Sequence, residues 1–101
     1  MIKELAREIA REMMDNLIAA QNEECRKLVE DDGFDPKDCM MHQLETPGDS
    51  TFFLFTAKVD GMVTPRSGFA FSITDEPIRH MTKKEIDDVW DFFEKNHNQS
   101  S

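Results

Sequence analysis

The chain has 101 residues, 39% of them hydrophobic and 33% charged, and its 21 Asp and Glu against 12 Lys and Arg give a formal net charge of −9. The length sets a single domain, residues 1–101, and eight Phe with one Trp supply enough apolar bulk to exclude wholesale disorder. So negative a field repels nucleic-acid phosphates and anionic lipid headgroups; direct nucleic-acid binding and membrane attachment are disfavoured, and basic protein surfaces are favoured as partners.

Acidity also serves plain solubility, and that reading stands beside any functional one. The N-terminus mixes charged with apolar residues and lacks the continuous apolar region of a secretory signal, and no run approaches the roughly 18 apolar residues of a membrane helix. With only Cys25 and Cys39 and no such signal, the expectation is reduced thiols and a cytoplasmic location. A chain this short has little room for both a catalytic cleft and the scaffold to hold it, so the expectation is also non-enzymatic.

A long N-terminal helix is predicted over residues 1–32. Ile2, Leu5, Ile9 and Met13 recur at helical spacing, with Lys3, Glu4, Arg7, Glu8, Arg11 and Glu12 opposite. A second apolar set, Met14, Leu17, Ile18, Cys25 and Leu28, is rotated by about a quarter turn on a wheel of about 100° per residue. Either the helix bends around Met13 to Asn16, or it stays straight and its halves pack against different things. A straight helix of about 45 Å overruns a domain of this size, and the simplest partner for its apolar end is a second copy of the chain. Ile2, Leu5, Ile9 and Met13 are thus the expected dimer contacts.

Asp31–Asp38 reads as a loop, with Gly33 as helix C-cap and Pro36 just beyond. An antiparallel sheet is expected over residues 39–74. It begins with a short strand over Cys39–Glu45, then a turn over Thr46–Ser50, then the strand Thr51–Val59. Asp60-Gly61 is a tight-turn dipeptide, Pro65–Gly68 interrupts the next segment as a bulge or wider loop, and Phe69–Thr74 alternates apolar and small residues. A last helix is expected over residues 82–97. Thr82 and Glu85 form a capping box, Met81 and Ile86 its hydrophobic staple, and Ile86, Val89, Trp90 and Phe93 its apolar face. The fold class is therefore α+β, in the order α-β-β-β-α. A three- to four-stranded antiparallel meander is flanked by N- and C-terminal helices in a two-layer sandwich, with both helices most simply on one face.

The strand Thr51–Val59 is bulky on both faces. Phe53, Phe55, Ala57 and Val59 match Phe69, Phe71 and Ile73; Phe52 and Leu54 are left over, and burying each stabilises by about 1.5–3 kcal/mol. They await cover from the first helix, a second subunit or a target protein.

Candidate chemistry is sparse. Cys39-x-x-His42 has metal-ligand spacing, and His80, His97 and Cys25 could join it, but there is no second close pair, and on a strand Cys39 and His42 point to opposite faces. No metal or cofactor is expected, and no Ser, Cys or His is arrayed for nucleophilic catalysis. Pro65–Gly68, with Lys58, Arg79 and His80 nearby, has the ingredients of an anion site but no phosphate-loop pattern; the simpler reading is a hairpin loop with Arg66 in solvent. Asp31–Asp38 lacks the order of residues that a calcium loop requires.

Acidic residues are the recurring theme, from Glu30, Asp31 and Asp32 through Asp75 and Glu76 to Asp87, Asp88, Asp91 and Glu94. The function expected is a small acidic protein-binding module that inhibits or regulates a basic or nucleic-acid-handling protein in the manner of small phage-encoded inhibitors or acidic immunity proteins. Phe52, Leu54, Asp87, Asp88 and Asp91 are its expected partner contacts. The alternatives are a ligand- or metal-binding protein using Cys39, His42 and His80, and a housekeeping protein with no partner beyond its own dimer.

Overall fold

The computed structural model describes residues 2–45, 50–72 and 77–99, apart from the side chains of 96–99. The turn expected at Thr46–Ser50, save Ser50 itself, and the residues Ile73, Thr74, Asp75 and Glu76 lie outside the described residues.

Helix α1 runs from Ile2 to Arg26 and continues into a π-helical turn, Lys27–Asp31. It is unbroken through Met13 to Asn16. Gly33, at φ 78°, ends it, and the Phe34 amide donates to the Leu28 carbonyl at 3.0 Å. A 3-10 turn at Pro36–Asp38, capped by the Asp35 carboxylate accepting from the Lys37 amide at 2.9 Å, leads into the sheet.

Four antiparallel strands follow in sequence order: β1 Cys39–Glu45, β2 Ser50–Val59, β3 Met62–Ser72 and β4 Ile78–His80. The β2–β3 connection is Asp60-Gly61, with φ of 53° and 82°. Both lie in the left-handed region, as a two-residue loop whose twist matches the strands requires. Of the two forms expected of Pro65–Gly68, a bulge or a wider loop, the structure shows the bulge: the segment lies within a continuous β3, whose register against β2 shifts between Phe55 and Thr56. A fourth strand, β4, follows Pro77; three residues are too few to show an alternation.

The α+β class and the antiparallel meander are as the alternation indicates, but the two helices do not share a face. Phe53, Phe55 and Phe69 form a buried cluster with Leu17 and Leu28, from α1 and its π-helical extension. Leu54 lies in a second cluster with Met81 and Ile86, against which Phe52, Leu44, Val89 and Trp90 pack. Helix α2, Lys83–Gln99, therefore covers the opposite face from α1. The physical reason lies in β2. It is apolar on both faces, each face needs a cover, and the chain has one apolar helix stripe for each.

The second apolar set expected on the first helix is also corrected. Met14, Ile18 and Cys25 are exposed, while Leu17, Glu24 and Leu28 are buried and Met13 and Ala20 half-buried. With Ile2, Leu5 and Ile9 these make one line along α1, stepping by three or four residues. Its C-terminal part covers the sheet. Every residue from Ile2 to Glu12 is exposed, so the N-terminal part overruns it. The radius of gyration is 15.4 Å and the longest extent 54 Å, against roughly 13 Å for a compact chain of this length.

Candidate functional site

Three surfaces carry the candidate residues. The first is the overrunning part of α1. Ile2, Leu5 and Ile9 are 86%, 59% and 49% exposed. They sit on the line that is core further along, and their neighbours on the helix are charged. Met13, the fourth expected dimer contact, is half-buried where the line reaches the sheet.

The second is α2. Its capping box forms as expected: the Thr82 amide donates to Glu85 Oε1 and the Glu85 amide to Thr82 Oγ1, both at 3.2 Å. Arg79 on β4 adds a fork of two 3.0 Å hydrogen bonds to the same carboxylate. Together these hold the Glu85 carboxyl well below its ordinary range, at about 2. Met81 and Ile86 pack as the staple. Leu54 is fully buried beneath this helix and Phe52 half-buried, so Leu54 is not a partner contact and Phe52 offers only part of its ring. Asp87, Asp88 and Asp91 are exposed. The acid near the end of α1, by contrast, is partly neutralised within the chain: Arg26 forks onto Glu23 at 2.7 and 2.9 Å, bonds Glu30 at 3.0 Å and lies 3.5 Å from Asp31. The exposed acid of α2 is the freer face.

The ligands of the Cys39–His42–His80 alternative do not meet. The register puts Cys39 on the α1 face opposite Ala57 and His42 on the α2 face opposite Leu54. His80 stands on β4, three strands from β1 and so roughly 14 Å away at the usual strand spacing. Burial pushes both thiols up, away from the thiolate that binds metals. His42 packs against Trp90 and Phe93, with ring centroids 5.3 and 5.4 Å apart, and its Nε2 lies 2.9 Å from Thr56 Oγ1; burial lowers its pKa, favouring the neutral ring. It is a half-buried residue packed under α2. Among the described residues no group of three or more His, Cys, Asp or Glu could hold a metal ion, and no helix is long and apolar enough to cross a membrane.

The third surface is a cleft of about 550 Å³ where the C-terminal part of α1, the middle of β3 and the start of α2 converge. On its wall Glu24 is a buried carboxylate, 5% exposed, that accepts from Ser67 Oγ at 3.0 Å. His80 Nδ1 stands 3.6 Å from it and Lys27 Nζ 4.0 Å. Arg66 is exposed, as expected, with its guanidinium over the Phe34 ring at 5.1 Å. Of the basic residues expected near Pro65–Gly68, His80 lines the cleft; Lys58 and Arg79 do not, and Lys27 and Lys83 do. The sequence carried one signal for this site. Glu24 is a lone carboxylate on the line Leu17, Ala20, Leu28, where an apolar residue belongs.

These features define an α+β protein with a helix on each face of a four-stranded antiparallel meander, a protruding amphipathic helix end and a mixed-charge cleft. No protein-family model, no curated protein and no solved structure matches the chain.

Proposed function

We propose that the chain is a small acidic protein-binding module. It pairs with a second copy through the overrunning part of α1 and offers the acidic outer side of α2 to a basic protein, such as a nucleic-acid-handling enzyme that it inhibits or regulates. The observation that carries this reading is the exposed stripe Ile2, Leu5 and Ile9, which continues a core-forming line past the sheet. An apolar stripe without cover favours association, and a two-fold pairing of identical stripes is the simplest complement. The net charge of −9 and the exposed Asp87, Asp88 and Asp91 support the basic partner.

Light scattering on the purified protein tests the pairing. The expected mass at high concentration is twice 11.7 kDa, and a monomer at every concentration refutes it. The second half is tested on captured partners with the triple variant Asp87→Asn, Asp88→Asn, Asp91→Asn. Capture should weaken with salt and with the variant, since exposed charge pairing is screened. Capture indifferent to both removes the acidic-face reading and leaves a dimer alone.

A further inference from the structure

The cleft inverts the charge of the molecule. The chain as a whole carries −9, yet the cleft is lined by three permanent cations, Lys27, Arg66 and Lys83, against two carboxylates, Glu24 and Asp87. Lys27 and His80 are turned towards Glu24. Among the described residues, neither Arg66 nor Lys83 has a carboxylate within ion-pair distance, although acid outnumbers base almost two to one. With Lys27 set against Glu24, Arg66 and Lys83 face the one remaining carboxylate of the cleft, Asp87, and this excess of positive charge in so acidic a chain points to an anionic guest.

The backbone is shaped to the same end. Phe55 pairs with Ser67 and Thr56 with Pro65, so Arg66 is the extra residue of a bulge, without a partner on β2. A bulge bends the strand and re-aims the side chain it carries. Here it sends Arg66 towards Phe34, whose ring the guanidinium covers at 5.1 Å; that leaves the donors of its fork for an oxyanion, whose two oxygens match such a fork. Strand β4 ends at His80, opposite Phe69, and the Met81 amide reaches back to the Gly68 carbonyl at 3.0 Å. Beyond that point the outer edge of β3 is open among the described residues, and the cleft occupies the space where β4 would have continued. Gly68 keeps this crossing tight: a Cβ there would meet Leu54 Cδ2 and the Phe53 carbonyl oxygen at 2.9 Å and Met81 Sδ at 3.0 Å. The first turn of α2 brings Lys83 to the rim.

We infer that this cleft binds a small oxyanion ligand, a phosphate or carboxylate group on a compact molecule, held between the Arg66 guanidinium and the Lys83 ammonium. Lys27 and His80 hold Glu24 in place on the far wall, and Ser67 fixes that carboxylate by its hydrogen bond, so the Glu24 charge is compensated before the ligand enters. The site is independent of the pairing proposed for α1, whose exposed stripe lies at the other end of that helix.

The test is an amide-resonance titration of the full chain at constant ionic strength, held with sodium chloride, using inorganic phosphate in one arm and citrate in the other. Saturable shifts centred on Arg66, Ser67, Gly68, His80 and Lys83 are expected in at least one arm, and the arm that saturates at lower concentration identifies phosphate or carboxylate as the preferred group. Arg66→Gln and Lys83→Gln, each tested separately, should weaken that binding about tenfold, the loss of one charge-assisted contact. Lys3→Gln, at the far end of α1, should leave it unchanged. Absence of saturation in both arms overturns the inference. So does saturation that survives both cleft variants, or that falls equally with Lys3→Gln, since either result means a diffuse response to charge. The same spectra report whether each variant is folded.

Discussion

Leu5→Glu is the sharpest test of how the protein associates. Leu5 sits mid-stripe between Ile2 and Ile9, and the exposed fractions of the three, 86%, 59% and 49%, together amount to about two whole side chains per protomer. At about 1.5–3 kcal/mol for each fully buried aliphatic side chain, a symmetric pair gains roughly 6–12 kcal/mol. Association itself costs about 4–15 kcal/mol. The gain exceeds the cost only where the first lies near its upper end and the second near its lower, so the pairing is weak; a net of about 4–7 kcal/mol within that overlap corresponds to a dissociation constant of about 10 µM to 1 mM. The substitution removes about 0.6 of a side chain from each protomer and sets two carboxylates against each other across the two-fold axis. Because Leu5 is exposed in the single chain, folding stability should move by no more than about 0.5 kcal/mol. Sedimentation velocity from roughly 10 µM to 1 mM, the span set by that estimate, should show the sedimentation coefficient of the native protein rising with concentration and that of the variant staying flat. Thermal melts of the two at the lowest concentration should overlay. A flat native profile, or a variant that rises in parallel, refutes the reasoning.

Leu54→Ala should destabilise by about 2.7–5 kcal/mol in urea unfolding, because Leu54 is fully buried under α2; a loss below about 1 kcal/mol, the range of an exposed site, contradicts the seating of that helix. Gly68→Ala should cost about 1–3 kcal/mol by overpacking, since the Phe53 carbonyl oxygen, 2.9 Å from the added carbon, is backbone that cannot swing aside as the tip of Met81 can; a neutral melt shows that the strands part there without strain. Glu85 has its folded pKa depressed to about 2, so the stability it contributes is present above its ordinary value of 4.5 and is lost as pH falls from there towards 2. Relative to the native protein, Glu85→Gln should be destabilised by a constant amount above pH 5, and the two stability curves should converge in acid; curves that stay parallel down to pH 2 show that the Arg79 and Thr82 contacts do not stabilise the fold.

Features set by neighbours in sequence were legible. The capping box at Thr82 and Glu85 and the staple of Met81 with Ile86 depend on residues three to five apart, and the Asp60-Gly61 turn on two adjacent dihedral angles. Alternation in β2 separated Phe53 and Phe55 from Phe52 and Leu54 because a strand leaves no other choice. Which helix covers which face was not legible: it depends on which apolar stripe each face meets, and both stripes suit either face. The wheel misled at Met14, Ile18 and Cys25 because hydrophobicity alone ranked them above Ala20 and Glu24, the residues that face the sheet. The cleft was half visible, in Pro65–Gly68 and His80. Its other half, Glu24, Lys27 and Lys83, comes from both helices and is brought together only by placing one on each side of the sheet.

The same line of residues on α1 takes different work according to what lies beneath it. Ten residues of β2 span about 34 Å, whereas the thirty helical residues from Ile2 to Asp31 span about 45 Å. The helix must overrun the sheet by at least about 11 Å, or seven residues, even if the two run parallel. The observed overrun, eleven exposed residues from Ile2 to Glu12, is longer, as a helix crossing the strands obliquely requires. Near the other end the line passes the bulge of β3, where β4 has stopped, before Leu28 rejoins the core. An apolar side chain at position 24 would face that gap; a carboxylate there is held by Ser67, Lys27 and His80 instead. The apolar surface left uncovered at the N-terminal end follows from a helix longer than the sheet it covers, and the charge buried near the other end follows from a fourth strand that stops short beneath it.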